Sequence, residues 1–214
     1  MPEIIYDITQ NTPEWIYLRL GSVGGTIIDK IAPRGKEYKN ALYYLAGEII
    51  TGVPAESHWF KHAERGHIYE PIARAAYTLR TGNEVKQCAL IKGDKPHTHI
   101  SPDGIIGATG LLEIKTRTPS VFLAAKDGHF PLADKRQIAW GLSVSGREWY
   151  ERVQFCPEID RVGSDGIIIE RINVYTRIEV DRKKMKMIDL MVELEEVADK
   201  FISDMMALVD RNGL

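Results

Sequence analysis

The sequence predicts an α/β fold, a mixed central β-sheet flanked by helices, and three observations predict it. Up to Gly82-Asn83 the chain is punctuated as helices. From Val85 to Lys115 it changes to short apolar runs separated by glycine-rich turns. Helical and strand-like segments then alternate until a long amphipathic helix closes the chain. Helices, then a strand core, then helices upon it make an α/β sandwich, because each element must bury an apolar face against another.

The elements follow in order. Thr12-Pro13-Glu14 is a helix start, with an N-cap hydroxyl and proline at the first helical position, and Gly21 ends that short helix. Gly24-Gly25 leads into another at Thr26. Asn40 to Thr51 carries Leu42, Leu45, Ala46 and Ile49 at helical spacing and stops at Gly52. A longer helix is expected from Trp59 to Arg80, with a kink or restart at Pro71. Val85 to Ile91, Ile105-Ile106 and Leu111 to Lys115 read as strands. Thr118-Pro119 opens a helix, and Lys135 to Ser143 is the next. Trp149 to Phe155 and Ile167 to Val174 read as strands, and Arg182 to Val209 as the closing helix.

With 214 residues, no internal repeat and no linker-like tract, residues 1–214 read as a single domain able to bury a core without staples. No run approaches the roughly eighteen apolar residues that span a bilayer. The opening MPEIIYDITQ has Glu3 and Asp7 where a secretory signal has a basic and then an apolar segment, so a cytosolic protein is expected. Cys88 and Cys156 each lie in an apolar stretch and read as buried, reduced thiols; without a Cys-x-x-Cys pair they cannot build a zinc ribbon or an iron–sulfur site. A net charge of −2 argues against indiscriminate coating of nucleic acid. It does not argue against a DNA enzyme, since phosphate responds to local potential.

The segment richest in chemistry runs from Ser101-Pro-Asp103 to Leu112-Glu-Ile-Lys115. Alternation along a strand points Glu113 and Lys115 one way and Leu112 and Ile114 into the core, which sets a carboxylate and an ammonium side by side at a sheet surface. The Gly107–Gly110 turn folds Asp103 back alongside Glu113. Two carboxylates brought together repel, and a hard divalent cation relieves the repulsion. Phosphodiester hydrolysis needs these parts: Mg²⁺ on Asp103 and Glu113, with the Ile114 carbonyl as a further oxygen ligand, and Lys115 beside the attacking water. Glu-x-Lys alone is common on exposed strands, and Asp-Gly after Ser-Pro is a common turn. Pro-Asp, nine residues, then Glu-x-Lys on a strand pair is the active-site pattern of the Pro-Asp…Asp/Glu-x-Lys nuclease superfamily.

Leu18-Arg-Leu-Gly21, Thr51-Gly52-Val53, Gly66-His-Ile-Tyr-Glu70, Ser101-Pro-Asp-Gly104, Leu112-Glu-Ile-Lys115 and Gln137 occur in that order. With them the chain resembles the lambda-type exonucleases of phage two-component recombination systems, from about Trp15 to the last helix. The resemblance implies a restriction-endonuclease-like core and a Mg²⁺-dependent 5′–3′ exonuclease, with Mn²⁺ able to substitute. It would act on ends of linear double-stranded DNA, release mononucleotides and leave a 3′ single strand for annealing. By position, Asp103, Glu113 and the Ile114 carbonyl match the metal ligands, Glu70 a helix-borne acid near a second metal, and Lys115 the catalytic lysine. Arg19, Thr26, Ser101 and Gln137 fall where the family gathers the 5′-phosphate, and Arg34 where a loop arginine meets the DNA ahead of the cut. Thr26, after two glycines, replaces a serine. The resemblance further implies a ring-shaped homotrimer, a single-strand annealing protein as partner, and a phage or prophage gene acting in a bacterial cytoplasm.

Other readings compete. An endonuclease or junction resolvase shares this core, and a non-catalytic DNA-binding or annealing protein has no use for an acid pair that repels phosphate. His58 and His62 have the spacing of two zinc ligands but lack the glutamate of a His-Glu-x-x-His motif. His97-Thr-His99 reads as a loop pair, Arg19 as a surface ion-pair partner, and the Arg182–Lys186 run, at a helix start, as either a phosphate-tracking segment or a solvated basic face.

Overall fold

The computed structural model describes residues 1–55, 60–163 and 165–212. The chain begins with β1 (Glu3–Ile5), α1 (Pro13–Leu18), α2 (Gly25–Ile31), α3 (Lys36–Thr51) and α4 (Phe60–Thr81). Four short strands follow: β2 (Val85–Lys86), β3 (Leu90–Lys92), β4 (His99–Ile100) and β5 (Gly104–Ile106). Next come β6 (Gly110–Thr116), α5 (Pro119–Lys126), α6 (Leu132–Ser145), β7 (Trp149–Phe155) and α7 (Pro157–Arg161). The chain closes with β8 (Ile167–Asn173), β9 (Arg177–Val180), β10 (Lys183–Lys186) and α8 (Met187–Arg211).

Local chemistry sets the element ends. Thr12 caps α1, accepting the Trp15 N–H, and Pro13 opens the helix. Gly52 and Gly146 end α3 and α6 in the left-handed conformation, where a side chain would be strained. Pro71 sits on the exposed side of α4, which continues through it as one helix.

The central sheet has five strands in the order β2-β5-β6-β7-β8. Only β6 and β7 run parallel, joined by the crossover through α5 and α6. A three-stranded sheet, β1-β3-β4, and the β9–β10 hairpin stand apart from it. One sheet face carries Ile105, Leu111, Tyr150 and Ile172 into a core with α2, α3, α6 and α8. The other carries Leu112, Ile114, Val153 and Phe155 against Ala73 and Tyr77 of α4. Each Ile, Leu, Val or Phe among them, fully buried, contributes about 1.5–3 kcal/mol. A one-residue slip of β6 would exchange its faces and drive Glu113 into the α4 core, so the register is firmly set. The architecture is a mixed sheet between helical layers, a restriction-endonuclease-like core, as the sequence predicts.

Three expectations need correction. Val85 to Ile91 is not one strand: Val85–Lys86 pairs with β5, whereas Leu90–Lys92 joins β1 and β4 in the other sheet. An apolar run reports burial but not the partner strand. The closing helix begins at Met187, because Arg182 belongs to the β9–β10 turn, where Asp181 and Arg182 both have positive φ. The basic run is therefore a hairpin strand, not a helix start. Glu113 is not at an open sheet surface: it is 4% exposed, beneath α6. Cys88 and Cys156 are free and buried. His58 and the side chain of His62 lie outside the described residues. Among the described residues no helix is long and apolar enough to cross a membrane.

Candidate active site

The β5–β6 hairpin assembles the acid pair. Gly104 pairs with Leu112, and Asp103, just before β5, donates its N–H to the Leu112 carbonyl at 3.0 Å. There β5 ends, and the Asp103 side chain takes its place: Oδ2 accepts the Ile114 N–H at 2.6 Å. In an extended strand the N–H and C=O of one residue leave on the same edge. The Ile114 carbonyl therefore faces the edge that Asp103 occupies.

Glu113 and Lys115 project together from the other strand face. Lys115 Nζ lies 2.6 Å from Glu113 Oε1 and donates to Gln137 Oε1 at 2.9 Å. Gln137, on α6, donates its Nε2 to Glu113 Oε1 at 2.7 Å and closes a three-membered network. Burial pushes the Asp103 carboxyl well above the usual carboxylate range, and the charges of Glu113 and Glu70 push it further. Burial raises Glu113 as well, against the opposing pull of Lys115. Burial also works against the Lys115 charge, but Glu113 and Asp103 outweigh it and hold the ammonium above its ordinary value.

Glu70 is near enough to act on both acids, yet its carboxylate is paired with Arg74, one helical turn further along α4. Arg74 also donates through Nε to the Asp103 carbonyl at 3.3 Å, which ties α4 to the hairpin. Among the described residues no three His, Cys, Asp or Glu side chains are gathered to ligate a metal. The oxygen donors in place are Asp103, Glu113 and the Ile114 carbonyl. Such a set suits Mg²⁺, which is commonly held by one or two carboxylates and completes its shell with water and substrate phosphate. The repulsion that Glu113 and Glu70 exert on Asp103 is what a divalent cation would relieve, so the residues present fit the ion.

Beyond Lys115 the same sheet face continues in Arg152 and Gln154 of β7. Asp134 of α6 pairs with Arg117 and lies 3.3 Å from Arg152 Nε, while Arg152 reaches Glu170 at 2.8 Å. Arg152 is 1% exposed.

Next to Glu113 and Gln137 opens a cavity of about 350 Å³ lined by Arg19, Thr26, His99, Ser101 and Tyr44, among others. Arg19 is not a surface ion-pair partner. Its guanidinium lies 4.0 Å over the Trp15 ring, and its Nε donates to His99 Nε2 at 3.1 Å. Ser101 Oγ is buried and has no hydrogen-bond partner. Thr26 is exposed in the first turn of α2. Glu48, buried on α3, accepts the N–H groups of Gly21 and Ala55 and braces the turn that follows Arg19. The structure thus brings Arg19, Thr26, Ser101 and Gln137 around one cavity. Arg34 is not there: it lies exposed between α2 and α3 with φ of 53°.

Sequence reasoning missed His99, which is no loop residue but a strand residue 3% exposed. It also missed the reason for Gly24-Gly25. A Cβ on Gly24 would lie 2.6 Å from His99 Nε2, and one on Gly25 3.0 Å from Gln137 Cγ. The two glycines let α2 approach both side chains. The signal within reach was a histidine directly followed by apolar Ile100.

Comparison with known proteins identifies the family and the fold. Residues 14–148 match the YqaJ-like viral recombinase domain. No curated protein matches the sequence. The fold is similar to that of the alkaline exonuclease LHK-Exo from Laribacter hongkongensis, with a TM-score of 0.78 and 25% identity over 94% of this chain and 95% of that one. LHK-Exo in complex with dAMP matches at the same TM-score and 26% identity, with the same coverage. A phage-related exonuclease from Haemophilus somnus 129PT shares the fold at a TM-score of 0.55 and 14% identity, over 87% of this chain and 95% of that one. This chain belongs to the YqaJ-like viral recombinase domain family and is a nuclease of the lambda-exonuclease type.

Proposed function

We propose that the protein is a Mg²⁺-dependent 5′–3′ exonuclease of linear double-stranded DNA, with Mn²⁺ able to substitute, releasing mononucleotides and leaving a 3′ single strand for recombination by annealing. The observation that carries this reading is Gln137. It hydrogen-bonds Glu113 and Lys115 and also lines the cavity of Arg19 and Ser101, so the acid pair and the cavity share a wall. A centre that cuts a fixed distance from an anchored end is what an exonuclease requires.

Asp103, Glu113 and the Ile114 carbonyl would hold the cation, with Glu70 available near a second ion once it parts from Arg74. Bound Mg²⁺ supplies Lewis-acid polarisation of the phosphodiester and a more acidic water. Lys115, charged and fixed by Glu113 and Gln137, donates to the charge developing on the phosphoryl oxygens. Arg19, Thr26, Ser101 and Gln137 gather the terminal 5′-phosphate, whose extra charge over an internal diester allows discrimination by electrostatics. Arg34 meets the duplex ahead of the cut.

The same reading includes a homotrimeric ring, which would hold DNA between cuts where a chain of net charge −2 has little to hold it. It also includes a single-strand annealing protein as partner, and action in the cytoplasm of a bacterium that carries the phage or prophage gene. The test is a linear duplex labelled at one end type at a time, followed with Mg²⁺ and compared with a closed circle. Early release of the 5′ label as mononucleotide, with the circle intact, supports the proposal. Cutting of the circle, or first release from the 3′ end, overturns it.

A further inference from the structure

Among the described residues that line the cavity, Arg19 is the only lysine or arginine. Its Nε is committed to His99 Nε2 at 3.1 Å. A guanidinium keeps its Nε hydrogen at any accessible pH, so His99 Nε2 must be the acceptor. The imidazole proton then sits on Nδ1, where it is donated to Ser22 Oγ at 2.9 Å. The ring is buried and its pKa is pushed down to about 3, by burial first and by the Arg19 charge second, so it stays neutral and keeps its acceptor.

With Nε occupied and one face of the guanidinium over Trp15, the edge of Arg19 left for a bidentate contact is the Nη1–Nη2 fork. Among the described residues no carboxylate lies within ion-pair distance of Arg19 to take that edge. Ser101 Oγ is a buried polar atom of the same cavity wall and has no partner. A buried polar group left unpaired calls for an explanation, and a ligand entering this cavity supplies one for Ser101. Gly24 makes the arrangement sterically feasible, since a Cβ there would stand 2.6 Å from His99 Nε2, the atom that receives Arg19.

We infer that His99 is a positioning residue for end recognition: as a neutral acceptor with a fixed tautomer it orients Arg19 so that the free guanidinium edge faces the cavity, and thereby sets the preference for a 5′-phosphate over a 5′-hydroxyl end. This rests on the reading of the cavity as the terminal-phosphate site. The backbone of His99 has a separate task, because its carbonyl accepts from Trp140 Nε1 at 3.3 Å whatever the side chain. A purely structural imidazole would affect stability and leave end preference alone.

The test measures kcat and KM on 5′-phosphorylated and 5′-hydroxyl duplexes of one sequence for the unmodified enzyme, His99→Leu and His99→Gln. Leucine removes the acceptor, whereas glutamine keeps one. His99→Leu is expected to raise KM for the phosphorylated duplex at least about tenfold, the scale of one charge-assisted hydrogen bond, with a much smaller change in kcat. His99→Gln should recover most of that loss. A folded His99→Leu with the full preference of the unmodified enzyme overturns the role of His99 and leaves the phosphate site standing. No preference in the unmodified enzyme overturns the phosphate site itself. If His99→Leu does not fold, nitrogen NMR of the unmodified protein decides. An Nδ1–H tautomer whose Nε2 signal shifts on adding a 5′-phosphorylated oligonucleotide supports the inference, and an Nε2–H tautomer overturns it.

Discussion

Asp103 Oδ2 accepts the Ile114 N–H at 2.6 Å, so a carboxylate completes the strand edge that β5 leaves open. An asparagine oxygen could accept the same bond without the charge that Glu113 and Glu70 repel. Asp103→Asn is therefore expected to be at least as stable as the unmodified protein without metal, to lose the rise in Tm on adding Mg²⁺, and to lose activity about a hundredfold or more. Thermal unfolding with and without Mg²⁺, beside a nuclease assay, checks all three. A clear drop in metal-free stability would count against the repulsion argument.

Lys115→Ala separates chemistry from metal binding. It should cut the rate at least about a hundredfold, the scale of lost transition-state charge stabilisation, while the Mg²⁺-dependent rise in Tm persists. Near-normal digestion by a folded Lys115→Ala would remove the lysine from the mechanism.

Gly24→Ala tests the packing of α2 on His99. Its φ of −103° suits any residue, so the penalty is steric, about 1–3 kcal/mol for overpacking. In a double-mutant cycle with His99→Ala most of that penalty should vanish, because the cycle isolates contact between the two side chains. Additive effects in urea unfolding would show that the clash lies elsewhere.

Acid should weaken the fold through His99. Its folded pKa of about 3 lies below the ordinary 6.5, so the unfolded chain binds the proton first. Stability is complete above the unfolded value and is lost as pH falls from there toward 3, at about 1.4 kcal/mol per pH unit. Between about pH 6.5 and 5, before most carboxylates titrate, the unmodified protein should lose about 1.6 kcal/mol more than His99→Gln. Urea midpoints at the two pH values give the comparison, and equal losses would mean that the ring protonates in place.

Asp134→Ala should destabilise by about 3 kcal/mol, because it takes one of two carboxylates from the buried Arg152 and the carboxylate partner from Arg117. Glu170 still pairs with Arg152, which sets the cost at the lower end for a broken buried pair. Chemical unfolding measures it, and a loss under about 1 kcal/mol would show that the buried charge finds another partner.

Asp103, Glu113 and Lys115 are legible in the sequence because their juxtaposition is local. Strand alternation puts Glu113 and Lys115 on one face, and a short glycine-rich turn returns Asp103 to them. The helix ends at Thr12, Gly52 and Gly146 are legible for the same reason: a cap or a left-handed residue acts over a few bonds. The opposite case is the Asp181-Arg182 turn, whose positive φ angles carry no glycine or asparagine to announce them. Lys183 to Lys186 then read as the start of the closing helix and conceal a hairpin strand.

The sequence by itself determined the alternation of helices and strands, the acid pair with its lysine, and the family. All of these follow from spacing over a dozen residues or fewer, or from motifs in a set order. Only the tertiary structure decided that Val85–Lys86 and Leu90–Lys92 belong to different sheets, that Glu70 is held by Arg74, and that α6 covers Glu113 and ties it to Lys115 through Gln137. It also decided that Arg19 meets His99, eighty residues away in the chain. Such contacts depend on which buried surfaces find each other, and burial is not directional: an apolar run specifies that a segment goes inside, not which neighbour it meets there.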